Sequence, residues 1–140
     1  MVHPIGLAAL VSGVTAQILK PFIDMLQRKG FHAYRLFDTG GMPSSHTAVV
    51  TTLTIGVAVY EGIGSPLFGI SLIVSLYFIF EATGLRQEVG YQAKVLNEVM
   101  ARAEEPHPFD AEALRELIGH TWIEVVAGLA LGTVVALLMY

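Results

Sequence analysis

Long runs of apolar residues are the feature that most limits how this chain can fold. Four runs lie at residues 4–19, 47–60, 67–82 and 119–140, separated by segments that carry charged residues, glycine and proline. Hydrophobic residues make up 54% of the chain and charged residues 14%, with a mean hydropathy of +0.61, which is unusual for a soluble protein. Because a membrane helix needs about 20 mostly apolar residues, the runs predict about four spans. The first run is short, so it either tilts or continues as an amphipathic helix.

Residues 85–102 have a different pattern, in which charged side chains recur between apolar ones. This pattern is typical of an amphipathic helix lying in the membrane interface. With the four runs, it predicts an all-α polytopic membrane helix bundle, with residues 1–140 in a single membrane-embedded domain. Small residues at positions 127, 128, 130 and 132 let another helix approach closely, and so permit a homodimer.

The lysines and arginines all fall in two of the connections between runs. Four lie between the first and second runs and four between the third and fourth: Lys20, Arg28, Lys29, Arg35, Arg86, Lys94, Arg102 and Arg115. Because basic residues are retained on the cytoplasmic side of a membrane, both connections are expected in the cytoplasm and both termini outside. We expect an integral protein of a bacterial inner or plasma membrane, with its polar site facing the cytoplasm.

Composition also excludes several classes of function. The net charge is −4, and the chain lacks the basic patch that is typical of a nucleic-acid binder. It has no cysteine, and therefore no disulfide framework, thiolate nucleophile or cysteine-ligated metal.

Residues 40–47 read Gly-Gly-Met-Pro-Ser-Ser-His-Thr and stand directly before an apolar helix. A helix start presents unpaired N–H groups and partial positive charge, which attract an anion such as phosphate. The hydroxyls of Ser44 and Ser45 add donors, and His46 adds a group that titrates near neutral pH. The alternative is an ordinary N-cap formed by either serine, with His46 incidental. The octapeptide alone leaves both interpretations open.

A second polar group opens the last run, where residues 119–124 read Gly-His-Thr-Trp-Ile-Glu. His120 and Glu124 are four residues apart, so they share one helix face. A carboxylate bonded to one ring nitrogen fixes the tautomer and makes the other nitrogen a better nucleophile. The alternative is a polar pair at the membrane boundary. An ionisable residue inside an apolar helix is costly and usually functional, so we favour a functional pair.

A metal site is the competing interpretation of the same residue types, because Zn²⁺ accepts histidine and carboxylate ligands. Its candidate ligands are His46, Glu81, His120 and Glu124. Against it, Lys20, Arg86 and Arg115 would repel a metal ion and attract a phosphate. We therefore expect a phosphate site with no metal and no cofactor.

Taken in chain order, these motifs resemble the divergent PAP2 family, which is related to type 2 phosphatidic acid phosphatases and vanadium-dependent haloperoxidases. The resemblance is carried by Lys20, by residues 40–48, by Gly-Leu-Arg at 84–86 with residues 92–97, and by Gly-His-Thr-x-x-Glu-Val at 119–125. It covers nearly the whole chain and implies a PAP2-like helical core.

The resemblance also implies roles for the site residues. Lys20 corresponds to a phosphate-binding lysine, Ser44 and Ser45 to the loop that cradles the phosphate, and His46 to a general acid. His120 corresponds to the nucleophile and Glu124 to the carboxylate behind it.

This chain departs from the wider superfamily in four respects. The Arg-Pro that closes the superfamily's first motif is absent here, and Arg35 is the candidate to replace it. Ser45 stands where the superfamily has glycine, and Glu124 where it has aspartate. Arg115 lies one residue closer to His120 than the superfamily's arginine, and Arg86 is a second candidate for that charge.

The first hypothesis is an integral membrane phosphatase that hydrolyses a phosphorylated lipid, phosphatidate-like or an isoprenyl phosphate, through a phosphohistidine. The alternative is a non-catalytic binder or carrier of phosphorylated lipid that uses the same pocket. A haloperoxidase ranks third, since it would need bound vanadate and usually has a soluble scaffold.

Overall fold

The computed structural model describes residues 3–27, 30–31, 33–37, 40–102, 114 and 119–140, apart from the side chains of residues 34, 35 and 86. Its five α-helices are α1 (Pro4–Leu26), α2 (Ser45–Glu61), α3 (Pro66–Thr83), α4 (Leu85–Arg102) and α5 (Trp122–Met139). A 3-10 turn at Ala33–Phe37 follows α1. The described residues contain no strand, and the prediction of an all-α membrane helix bundle is confirmed.

Side-chain caps fix where four of these helices begin. Ser44, Ser65 and Thr121 are the N-caps of α2, α3 and α5, and each side-chain oxygen accepts a hydrogen bond from a backbone N–H in the first turn. His3 caps α1 in the same way through Nδ1. Gly62, with a φ of 83° that favours glycine, ends α2.

Hydrogen bonds between helix termini join the bundle at both of its ends. Ser44 N–H donates to the Glu124 carbonyl, and His120 N–H donates to the Ala82 carbonyl, so the starts of α2 and α5 meet the end of α3. At the opposite end the Tyr140 hydroxyl donates to the Ile5 carbonyl, which joins the end of α5 to the start of α1. The bundle therefore has two ends, one at the predicted polar site and one away from it.

Helix α2 is the centre of the bundle and packs against α1, α3 and α5. Gly128 and Gly132 let α5 approach it closely, because a Cβ at either glycine would lie 2.6 Å from a backbone oxygen of α2. Thr52 Oγ1 also donates to the Gly132 carbonyl across this contact, at 2.9 Å. These two members of the predicted small-residue face thus contact α2 of the same chain. Because Gly128 and Gly132 are used within the chain, they do not support the predicted homodimer, which stays a prediction.

Three helical segments are long and apolar enough to cross a membrane among the described residues: Pro4–Leu26, the run Pro66–Arg102 that contains α3, and Trp122–Met139. Helix α2 has 17 residues, the short end of the range for a span. Helix α1 passes through Pro21 to Leu26, so the first apolar run is extended. Helix α4 forms over the predicted residues, and its location in the interface stays a prediction.

Candidate active site

Buried polar side chains gather at the end of the bundle where α2 and α5 begin. Five of them are less than 9% exposed: Lys20, Asp24, Ser44, Thr47 and His120. Burying such groups costs free energy unless other polar groups compensate. The site is therefore built from polar contacts between helix ends.

His120 and Glu124 form the best-defined pair. The prediction that they share one helix face is wrong, because His120 precedes Thr121, the N-cap of α5, and Glu124 lies in the first turn. Glu124 Oε2 lies 3.0 Å from His120 Nδ1 and also accepts the N–H of Thr121 at 3.1 Å. An ionised carboxylate only accepts hydrogen bonds, so Nδ1 must carry the proton. This leaves the Nε2 lone pair directed away from the carboxylate. Nε2 is buried and has no hydrogen-bond partner among the residues that the structure describes.

The backbone of His120 is held by the junction between α3 and α4. Its N–H donates to the Ala82 carbonyl at 2.9 Å, and its carbonyl accepts a hydrogen bond from Gln87 Nε2 at 2.7 Å. Sequence reasoning missed Gln87, although it directly follows the Gly-Leu-Arg motif. An amide in the first turn of an amphipathic helix gives no signal of a partner 33 residues away.

Ser44 and Thr47 fix the start of α2. Ser44 Oγ accepts hydrogen bonds from the Thr47 N–H at 3.3 Å and from Thr47 Oγ1 at 3.0 Å. Ser44 is therefore the N-cap of α2, which agrees with the ordinary N-cap interpretation of this segment. Its own N–H donates to the Glu124 carbonyl at 3.0 Å, which ties the cap to the His120–Glu124 turn.

The two predicted catalytic histidines lie together. The ring centroids of His46 and His120 are 6.0 Å apart, with their planes at 59°. Both rings are thus within reach of one phosphate ester placed at this end of the bundle. Ser45 precedes His46 on the first turn of α2 and is partly exposed.

Lys20 is 1% exposed and lies close enough to Glu124 for a favourable charge interaction. Asp24 follows it by one turn of α1, is also buried, and was missed by sequence reasoning. Of the predicted arginines, Arg86 is placed in the first turn of α4, next to Gln87, and its side chain lies outside the described part of the structure. Arg115 lies outside the described residues altogether.

The described residues contain no group of three or more histidine, aspartate or glutamate side chains that could hold a metal ion. The four ligands of the competing metal interpretation therefore do not assemble into one cluster. The absence of a metal requirement stays a prediction.

A groove of about 750 Å³ opens between α1, α2 and α3 and reaches this end of the bundle. Ser45 and His46 line it on α2, and the rest of its lining is mainly apolar. We call it the α1–α2–α3 groove.

Comparison with known proteins identifies the family. The model of the Divergent PAP2 family matches residues 2–135. The chain belongs to that family. It is 35% identical over 144 residues to a Bacillus subtilis (strain 168) protein described as "Uncharacterized membrane protein YuiD", covering 95% of this chain and 91% of the relative. No solved structure matches. The family resemblance and the membrane location are thus shown.

Proposed function

We propose that this divergent PAP2 protein is an integral membrane phosphatase that hydrolyses a phosphorylated lipid through a phosphohistidine. The observation that carries the proposal is the state of His120. Its Nδ1 is held by Glu124, while its Nε2 is buried without a hydrogen-bond partner in the described residues. A buried polar atom without a partner is uncommon in proteins and often marks a functional group.

In the first half-reaction, the Nε2 lone pair of His120 attacks the phosphorus. The P–N bond forms as the bond from phosphorus to the lipid oxygen breaks, and protonated His46 gives its proton to the departing alcohol. Glu124 keeps the proton on Nδ1 and stabilises the positive charge that develops on the ring.

In the second half-reaction, a water molecule attacks the phosphohistidine. His46, now neutral, takes a proton from that water, the P–N bond breaks, and inorganic phosphate leaves with the electron pair returned to Nε2. The cycle returns both histidines to their starting states, which requires no metal and no other cofactor.

The negative charge on the phosphoryl oxygens needs donors and cations close by. Lys20 is buried at this end of the bundle, and Ser44 and Ser45 stand at the start of α2, where the first N–H groups lack acceptors within the helix. Arg86 and Arg115 complete the proposed phosphate-binding set. In the proposed substrate only the phosphate head is charged. The hydrocarbon chain can therefore stay in the bilayer while the head enters the polar site.

The distribution of lysine and arginine supports a site at the cytoplasmic face, with both termini outside. The end of the bundle that contains His46 and His120 is also where the two basic connections attach.

The alternative is a binder or carrier of phosphorylated lipid that uses the same pocket without turnover. The deciding experiment measures phosphate release by the purified protein in detergent against phosphatidate, isoprenyl phosphates and an aryl phosphate. We expect release that is blocked by orthovanadate, which imitates five-coordinate phosphorus, and that survives a chelator. Binding of a lipid phosphate with no release from any substrate would favour the carrier instead.

A further inference from the structure

We infer that the α1–α2–α3 groove holds one hydrocarbon chain of the phosphorylated lipid, with the phosphate end at His46. This inference rests on the proposed function and adds to it the path of the substrate through the bundle. It follows from where the polar residues of the groove lie, which site residue lines it, and which helices form its walls.

The polar residues of the groove lie mainly at one end. Gly13 on α1 faces Val49 on α2, since a Cβ at Gly13 would lie 2.7 Å from Val49 Cγ2. Because α1 and α2 run in opposite directions, one further turn on each brings Gln17 level with Ser45. Gln17, Ser45 and His46 therefore share the end of the groove next to the site. Lys20 follows Gln17 by three residues, toward the buried polar cluster.

The rest of the groove is suited to a hydrocarbon chain. Its walls away from His46 include Leu10 and Val14 of α1, Leu53 of α2 and Val74 of α3. Ser75 also lines it, and its hydroxyl is already hydrogen-bonded to backbone and side-chain groups of α2 and α3.

The length and position of the groove suit the part of a lipid chain nearest the phosphate. From Ser45 to Leu53 it follows α2 for about 12 Å, at 1.5 Å per helical residue. Two of its walls, α1 and α3, belong to segments long enough to cross the membrane. A lipid can therefore enter sideways from the bilayer without passing through water.

The residue that the groove reaches determines which way the lipid faces. His46 lines the groove, whereas His120, Lys20 and Glu124 do not. In an in-line displacement the nucleophile and the leaving oxygen lie on opposite sides of the phosphorus. A chain in the groove would place the leaving oxygen beside His46 and the phosphorus toward His120, as their proposed roles require. By contrast, a groove that simply filled with bulk bilayer lipid would not prefer lipids that carry a phosphate head group.

The first test fills the groove and measures turnover. Val14 is 59% exposed and lines the groove, and Val134 on α5 is 53% exposed and lies away from it. We expect Val14→Trp to lower kcat/KM for dioleoyl phosphatidate by at least ~10-fold, about the loss of one good apolar contact. It should change turnover of an aryl phosphate less than about twofold, since that substrate has no chain, and Val134→Trp should change neither. Equal effects of the two variants on phosphatidate would overturn the inference.

The second test does not depend on turnover. A phosphatidate with a photoreactive diazirine in one chain is mixed into phosphatidylcholine vesicles that contain the wild-type protein. We expect labelling of α1, α2 and α3 residues of the groove, reduced by excess unlabelled phosphatidate and unaffected by added phosphatidylcholine. If the protein releases no phosphate but shows this competition, the phosphatase proposal fails and the groove assignment stands. If labelling persists in excess phosphatidate, the groove holds bulk lipid and the assignment is wrong.

Discussion

The two ends of the bundle are built from different interactions. At the site end, the starts of α2 and α5 are joined by backbone hydrogen bonds and by buried polar side chains such as Ser44 and His120. At the far end, Tyr140 meets Tyr60 edge to face at a centroid distance of 5.6 Å, and Tyr60 meets His3 in the same way at 5.5 Å. Aromatic contacts tolerate small shifts, whereas a hydrogen-bonded pair with a proposed catalytic role does not. The site end should therefore control activity and the far end only stability.

The largest expected effects come from alanine substitutions at His46 and His120, whose proposed roles depend differently on the leaving group. A nucleophile is needed whatever departs, so His120→Ala should lose activity on both a lipid phosphate and an aryl phosphate. A general acid matters most for a poor leaving group, so His46→Ala should lose ~10²–10⁴-fold on the lipid and less on the aryl substrate. Some loss on both is expected, because His46 is also proposed to activate water. The roles would be reversed or wrong if His120→Ala kept aryl turnover while His46→Ala abolished both reactions.

How far the sequence predicts the site depends on whether a contact is local. The sequence predicted the His120–Glu124 contact from an i,i+4 spacing on one helix face; the structure has the contact, but it forms across the N-cap of α5, because His120 precedes the helix. A cap at Ser44 or Ser45 also follows from local pattern, and the structure has it at Ser44. Contacts between distant segments do not: nothing near Gln87 indicates that it meets His120, and Asp24 looks like one polar residue of an amphipathic helix end. The nearness of His46 to His120 was implied only by the family resemblance.

The fold was predicted more completely than the site, again for a physical reason. Apolar runs determine which segments become helices, because burial in lipid needs only length and hydropathy. Which helices pack together depends on shape. The small residues of α5 predicted close approach without naming the partner, and Gly128 and Gly132 turn out to meet α2.

The second largest effect is expected when one glycine near each end of the bundle is replaced by alanine and the two variants are compared. A Cβ at Gly128 would lie 2.6 Å from the Ser44 carbonyl oxygen, whereas one at Gly56 would meet the Tyr140 ring, the outer part of a rotatable side chain. Gly128→Ala should therefore destabilise the fold by about 1–3 kcal/mol, as overpacking does. It should also lower kcat by up to ~10²-fold, because it moves the start of α2 relative to His120.

Gly56→Ala should cost less stability and leave kcat unchanged, because the ring can move. Gly69 has open space around its Cα, so Gly69→Ala is the matched control and should be neutral or stabilising. Thermal unfolding in detergent and kcat are measured for all three variants. Loss of kcat in Gly56→Ala equal to that in Gly128→Ala would break the distinction between the two ends.

A smaller effect is expected at Gln87, which holds the His120 carbonyl. Gln87→Ala leaves that carbonyl without its side-chain donor, which costs about 1–3 kcal/mol if it is not made up elsewhere. We expect kcat to fall about fivefold to tenfold with little change in KM, since the ring is displaced while the phosphate groups are untouched. Glu88→Ala, at the exposed neighbouring position, is the control. A change in KM alone would assign Gln87 to substrate binding instead.

The smallest effect should come from the far end. The Tyr140 hydroxyl donates to the Ile5 carbonyl at 3.3 Å, a long hydrogen bond that joins α5 to α1. Tyr140→Phe removes this bond and keeps the ring against Tyr60, so it should lower stability by no more than about 1 kcal/mol. The hydroxyl is at the other end of the helix from His120, and kcat should stay within about twofold of the wild type, as expected for a conservative change away from the site. Thermal unfolding and phosphate release on the same preparation give both quantities. A fall in kcat beyond tenfold, with stability unchanged, would mean that the far end is coupled to the site.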